Sequence, residues 1–520
     1  MRHFRLVVLL LSAPLLSAAN LELRVVDAGT RRAIPARVLV RDASGTAFAP
    51  DGAVKVRIGP DDWFVSDGSS SLTLPAGRAL VQVERGTEYT PVLLQAVIAE
   101  GKTTALRAVV RRWIDMERRG YRSGENHVHK DSTDLAPMLA AEDLDFGSSL
   151  HWWNGPKLPL PAQARAALDL DFGGRARAAS LYDAEVENSW GAVYLIGLTE
   201  PMTIPHDRRR ANLAYVKRAR EQGALICYQG GWSRESLVDA LAGYVDVVNI
   251  CNNNFHRFKF QPRRIYSNLL QVPGFPEYPE TPEGMLRMNT DTYYRMLNCG
   301  LRLAAGAGSA VGAKTTPVGY NRAYVQTGGD ATLKQFLEAW RKGRNFVTNG
   351  PMVFLTAEGG RAPGDEIPLA VAGGKVRVNA TAIWDQPLQT LEIVRNGEVV
   401  AKAEIAAGRT EARVSATVEI PEGSWIIARA TARDALLPDA EMARFSRREG
   451  LSEAPSRLRF GHTSPIYITV GGAGPRVKAS VEQALQMVDA FERFARKEAG
   501  DAHREEILAA VAEARRKLER

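Results

Sequence analysis

The feature that most restricts the fold is a change of rhythm along the chain. Residues 20–112 alternate apolar and polar side chains in short runs (LELRVVD, ARVLVRD, VKVRI, SLTLP, ALVQVERG, TALRAVVRRW) punctuated by Gly, Pro and Asp. A two-residue period puts every other side chain on one face, so these runs predict half-buried strands packed as a small β-sandwich. Between residues 113 and 350 the pattern becomes mixed α/β. Short apolar strands at ALICY (224–228), VDVVNI (245–250) and LRLAAGAGS (301–309) alternate with helical stretches at Ala211–Gln222 and Leu333–Lys342. That alternation predicts an α/β layer or barrel built on a parallel sheet. Residues 351–475 return to short strands, and Asn396-Gly397 inside TLEIVRNGEVVAKAEI marks a hairpin of a second β-sandwich. Residues 476–520 predict a helical hairpin broken at Gly500-Asp501. Leu485, Val488, Phe491 and Phe494 form its apolar stripe, which predicts packing on a neighbouring domain.

A chain of 520 residues is too long for one hydrophobic core, so several domains are expected. The net charge of +8 comes mostly from scattered arginines, densest at Arg208–Arg210 and in the last helix. No basic stripe interleaves with aromatics, so no nucleic-acid partner is expected. Residues 1–19, MRHFRLVVLLLSAPLLSAA, have a basic start, an apolar centre, and small Ser17 and Ala19 before a cut after Ala19. This predicts a signal peptide and a periplasmic or secreted protein with no transmembrane segment after cleavage. Three cysteines, Cys227, Cys251 and Cys299, match no disulfide framework or zinc motif and are expected as buried thiols. Nothing in the sequence specifies an oligomeric state.

The chemistry concentrates in the middle segment. GENHVHKD (124–131) places His127 and His129 two apart, so in an extended chain both imidazoles face one side. Two neutral imidazoles with a carboxylate suit a divalent metal such as Zn, Mn or Fe, and Asp131 and Asp134 follow closely. A helical stretch and the strand DFGSSL then end in His151, where a further ligand would point. SLYDAEVENSWGAVYLIG sets Glu185 and Glu187 on one face of a strand. The segment CNNNFHRFKFQPRR brings Asn253, His256 and Arg257 to the end of another, suited to an anionic or sugar-like substrate. Trp153 and Trp190, beside these motifs, are candidates to floor a sugar or aromatic ring. GAGSAVGAKTTPVG lacks phosphate-loop spacing and is not read as a nucleotide site.

Two resemblances follow from these residues. GTRRAIPARVLVRDASG is similar to the opening of carboxypeptidase regulatory-like modules, which implies an accessory role for residues 20–112. GENHVHKD, a helix, and a strand ending in histidine resemble the opening of the PHP (polymerase and histidinol phosphatase) superfamily of metal-dependent hydrolases. AWRKGRNFVTNGPMVFLTAEGGRAPGDEI (339–367) and FGHTSPIYITVGG (460–472) resemble its CehA/McbA-type metallohydrolase branch. The resemblance implies a distorted α/β barrel over 113–350 and hydrolysis of ester, amide or phosphoester bonds by a metal-activated water. It implies Zn or Mn held by His127, His129, Glu185 and His151, with Glu185 and His151 also catalytic. Other family ligands are replaced: Leu150 precedes His151, Ala192 follows Trp190-Gly191, Tyr228-Gln229 ends a strand, and Ala310-Val311-Gly312 follows LRLAAGAGS. The implied metal site is therefore reduced. The alternative is a catalytically inactive relative that binds a glycan or another cell-envelope ligand.

Overall fold

The computed structural model describes residues 18–160, 166–172, 175–255, 276–435 and 457–520. His256, Arg257 and the expected leader up to Ser17 lie outside the described residues. Among the described residues the strands form five sheets in a mixed α/β fold.

The predicted N-terminal strands pair into two sheets. In one, Ala18–Asp27 runs parallel to Thr103–Arg112 and antiparallel to Ser69–Pro75. In the other, Ala36–Asp42 lies between Asp61–Ser66 and Gly77–Glu84. Leu21, Leu23, Val25, Val38, Val40, Phe64 and Val81 fill one core between them, the arrangement of a sandwich. Ala18 and Ala19 pair with Pro75 and Leu74, so a cut after Ala19 would fall inside the first strand.

The middle segment divides its strands between two sheets. One orders Trp152–Trp153, Ala184–Asn188, Gly191–Ile196, Leu225–Tyr228, Val247–Cys251 and Ala304–Ala307. Its last three strands are parallel, but Gly191–Ile196 is antiparallel to both neighbours. This corrects the expectation of a parallel sheet. Only Ser189 and Trp190 separate two of the strands, and so short a link can reverse the chain but cannot carry it across the sheet. The other sheet places Phe146–Ser148, Tyr121–Glu125, Arg322–Gln326 and Asn345–Thr348 side by side. It then continues past residue 350, because Asn345–Thr348 pairs with Leu458–Thr463. Both sheets share one core: Phe146, Val325 and Val347 from one meet Val193, Leu195, Ile226 and Val248 from the other. A capping box at Thr332 and Gln335 starts the helix Leu333–Arg341, which stacks Phe336 on Phe146 at 4.2 Å.

Met352–Ala357, Gly374–Ile383 and Glu411–Ile420 form a three-stranded sheet. Its Val353 and Val378 pack on Leu391, Ile393 and Ile426 of the long sheet as the second sandwich. The expected turn is present: Asn396 (φ 50°) and Gly397 (φ 95°) both occupy the left-handed region that such hairpins require. Lys478–Glu498 and Asp501–Glu519 form the C-terminal hairpin, with Phe491 and Phe494 set edge-on to Trp190 at 6.0 and 5.0 Å. All three cysteines are free and buried. No helix among the described residues is long and apolar enough to cross a membrane.

The N-terminal sandwich is tied to the middle segment by buried charge. The helix Ser132–Ala141 ends at Glu142-Asp143, and Asp143 takes a left-handed turn (φ 49°). Its carboxylate meets Arg85 at 2.7 Å, Arg112 at 2.5 Å and Arg177 at 3.1 Å. Glu142 faces Arg37 at 3.2 Å. Arg37, Arg85 and Arg112 all belong to the sandwich or its last strand.

The long sheet also buries an imidazole. His462 lies against the helix Pro282–Asn298, where the Tyr294 hydroxyl and His462 Nε2 stand 2.7 Å apart. Burial, assisted by the Arg429 charge, pushes its pKa down to about 3. The folded state then leaves His462 neutral where the unfolded chain would protonate it, so stability falls as pH drops below the ordinary value of 6.5. This group should cost about 2 kcal/mol of unfolding free energy between pH 7 and pH 5. In denaturant titrations at those two pH values, His462→Gln should show a correspondingly smaller loss.

Candidate metal centre

The centre is built where the chain leaves the strand Tyr121–Glu125 and passes between two sheets. The Asn126 N–H donates to the Ala307 carbonyl (3.2 Å), and the His129 N–H donates to the Val311 carbonyl (2.8 Å). On the other side the Leu150 N–H donates to the Val128 carbonyl (2.9 Å). The segment is thus extended, Val128 is wholly buried, and both imidazoles point to one side, as the two-residue spacing predicts. Glu185 comes from the other sheet, on the strand Ala184–Asn188 opposite Tyr194.

His127, His129 and Glu185 converge. The two Nε2 atoms are 3.0 Å apart, and Glu185 Oε2 lies 3.4 Å from the first and 3.2 Å from the second. A tetrahedral ion with bonds of about 2.0–2.1 Å has ligand atoms about 3.3 Å apart, and an octahedral one about 3.0 Å. The triangle is therefore the size of one face of a metal coordination shell. The charges agree with this. Burial alone would raise the Glu185 pKa, but the two imidazoles outweigh it and bring it down to about 2. Burial lowers the pKa of His127, which favours the neutral ring that binds metals. The result is a buried carboxylate whose Oε2 faces both imidazoles and meets no donor in good hydrogen-bonding geometry. A buried carboxylate in that state needs a cation, and a metal ion would supply it. These three residues could hold one.

Aromatic rings shape the surroundings. Tyr194 lies under His127 at 4.3 Å, and half-buried Trp153 lies beside His129 at 4.5 Å. The Trp153 indole N–H donates to Glu187 Oε2 (3.1 Å), and Asn154 bonds the Glu187 backbone on both sides (2.6 and 3.0 Å). Glu187 stands at the rim on the same strand face as Glu185. Crowding and the Glu185 charge raise its pKa.

Several expected residues sit elsewhere. His151 is outside the cluster: its ring Nδ1 lies 2.5 Å from the Leu158 carbonyl oxygen. Asp131 caps the helix Ser132–Ala141, and Asp134 pairs with Lys130 at 2.9 Å. Trp190 is not a substrate platform. It is fully buried under Phe491 and Phe494, and its indole N–H donates to the Arg208 carbonyl. Asn253 is buried and accepts from Gln229 Nε2 (2.7 Å). Two features were missed from sequence. Glu125 is buried and accepts the N–H groups of Ser309 (2.6 Å) and Gly319 (2.9 Å). The second is the glycine-rich segment itself, which packs directly on both histidines. A Cβ at Gly308 would fall 2.5 Å from His127 Cβ, and one at Gly312 would fall 2.2 Å from the His129 carbonyl. The signal lay in the glycine spacing of GAGSAVG, which marks close backbone approach.

No family model matches the chain, and no curated protein matches it. Among solved structures it is similar to the minor pilin GBS52 of Streptococcus agalactiae. That similarity is at 16% identity over 19% of this chain and 46% of the pilin chain, with a TM-score of 0.15. The match spans less than half of the pilin chain and is too slight to bear on fold or function.

Removing the Glu125 carboxylate leaves two buried N–H groups without an acceptor. Glu125→Ala should therefore lower unfolding free energy by about 2–5 kcal/mol, read from denaturant unfolding.

Proposed function

We propose that the protein is an exported metal-dependent hydrolase acting on ester, amide or phosphoester bonds, with a single Zn or Mn ion at His127, His129 and Glu185. The middle segment is then a reduced version of the PHP-type plan, its two sheets being the halves of a distorted barrel. The observation that carries the reading is the triangle of two Nε2 atoms and one Oε2 atom with edges of 3.0, 3.4 and 3.2 Å.

His127, His129 and Glu185 would hold the ion, which when bound would supply Lewis-acid activation of water and of the scissile group. The chain's own residues supply the rest. His127 and His129 present their Nε2 atoms, and Glu185 presents a carboxylate oxygen from the other sheet. Trp153 lies beside His129 and orders Glu187 through its indole N–H. Glu187, with its raised pKa, is suited to take and return a proton at the rim. Three protein ligands leave coordination positions open, as a hydrolytic centre requires and a closed structural site does not.

The test begins with chelator-stripped full-length protein. It should take up one equivalent of zinc and melt at a higher temperature with it, by linkage worth about 2.7 kcal/mol at a hundredfold excess over Kd. His127→Ala, His129→Ala and Glu185→Gln should each weaken uptake by about a hundredfold or more and abolish turnover of ester and phosphoester panels. No uptake by the wild-type chain would refute the proposal. Tight uptake without turnover would favour the inactive, glycan-binding alternative.

A further inference from the structure

We infer that the outer face of the N-terminal sheet binds an acidic polysaccharide, with Arg24 and Arg107 gripping a carboxylate of the sugar chain. This is independent of the metal-centre reading. In that sheet Ala18–Asp27 lies between Ser69–Pro75 and Thr103–Arg112. Leu21, Leu23, Leu72 and Leu74 point into the sandwich core. The alternate residues Glu22, Arg24, Ser69 and Ser71 therefore point outward, and they are exposed, as are Ala105 and Arg107 on the third strand. Strand register sets these residues in two rows. Arg24 is aligned with Ser69 on one side and Arg107 on the other, and Glu22 with Ser71 and Ala105. The small side chains of Ser69, Ser71 and Ala105 leave a groove across the three strands. It is open to solvent, has about 1050 Å³ of empty volume, and has Glu22, Arg24 and Arg107 along its walls.

The charge of this groove selects the occupant. Arg24 and Arg107 are in-register neighbours on parallel strands, with Cα atoms about 4.8 Å apart. Among the described residues neither guanidinium is in an ion pair with a carboxylate. Like charges directly opposite each other weaken a sheet, and an anion held between them removes that cost. Each guanidinium offers a planar fork of N–H donors that matches the two oxygens of a carboxylate. Two arginines against one glutamate leave the groove with a positive excess. The Ser69 and Ser71 hydroxyls lie along the same face, and Thr73, bonded to Asn20 at 3.0 Å, continues it as a polar surface. A chain that repeats carboxylates and hydroxyls matches this lining. A nucleic acid matches it less well, because no aromatic side chain lines the groove to stack a base and no run of cations follows a phosphate backbone.

The experiment measures binding of full-length protein to polygalacturonate by calorimetry, with neutral dextran, single-stranded DNA and anionic phospholipid vesicles as comparison probes. The wild-type chain should bind polygalacturonate, more weakly as salt is raised, and should not bind dextran. The double variant Arg24→Gln/Arg107→Gln should lose at least about tenfold in affinity, and Arg24→Lys/Arg107→Lys should recover only part of it because the fork geometry is gone. Glu22→Gln, which removes the one negative charge of the lining, should bind more tightly. These side chains are exposed, so the variants should melt within a few degrees of wild type, which separates lost binding from lost folding. Absence of polygalacturonate binding by the wild-type chain would overturn the inference, and so would unchanged affinity in the double glutamine variant. Tighter binding of the DNA or of the vesicles than of polygalacturonate would also overturn it, by assigning the face to a different partner.

Discussion

The candidate site depends on the pairing of residues 126–129 between 307–311 on one side and Leu150 on the other. Hydrogen bonds from Asn126 and His129 to Ala307 and Val311, and from Leu150 to Val128, hold a short extended segment at the junction of two sheets. Side-chain direction in an extended segment follows from its backbone, so this pairing aims both imidazoles. It also explains why the third member of the cluster can come from the other sheet. Glu185 is carried on a strand whose core residues interlock with those of the first sheet, and the Oε2–Nε2 distances inherit that rigidity.

Much of this was legible in local pattern. Alternation located the strands of both sandwiches, Asn396-Gly397 located a hairpin, and the His-x-His spacing located two of the three cluster residues. Local pattern says which face a side chain takes, but it does not say which strand lies beside it. The continuation of the long sheet past residue 350 and the burial of Trp190 depend on segments distant in sequence. Trp190 looked like a ring platform because its cover, Phe491 and Phe494, lies at the far end of the chain. His151 looked like a ligand because it ends a strand, but the turn to Leu158 claims its ring.

Leu150, Ala192 and Ala310, three positions near the cluster, serve in packing and backbone pairing. Leu150 is wholly buried, and its N–H braces Val128. The Ala192 carbonyl accepts from the Gln229 N–H (3.0 Å), and the Gln229 side chain is bonded to Asn253. Ala310 supplies the left-handed turn that brings the glycine-rich segment onto His127.

The arginines around Asp143 bear on how the parts of this chain can be rearranged over evolutionary time. Asp143 is buried in the middle segment, yet Arg85 and Arg112 reach it from the N-terminal sandwich. Modules of that kind are often gained, lost or exchanged as units. Excising residues 20–112 would take away Arg85 and Arg112 and leave Arg177 as the partner of Asp143 among these three arginines. That coupling makes the sandwich a companion of the segment that carries the His127, His129 and Glu185 cluster rather than an interchangeable appendage.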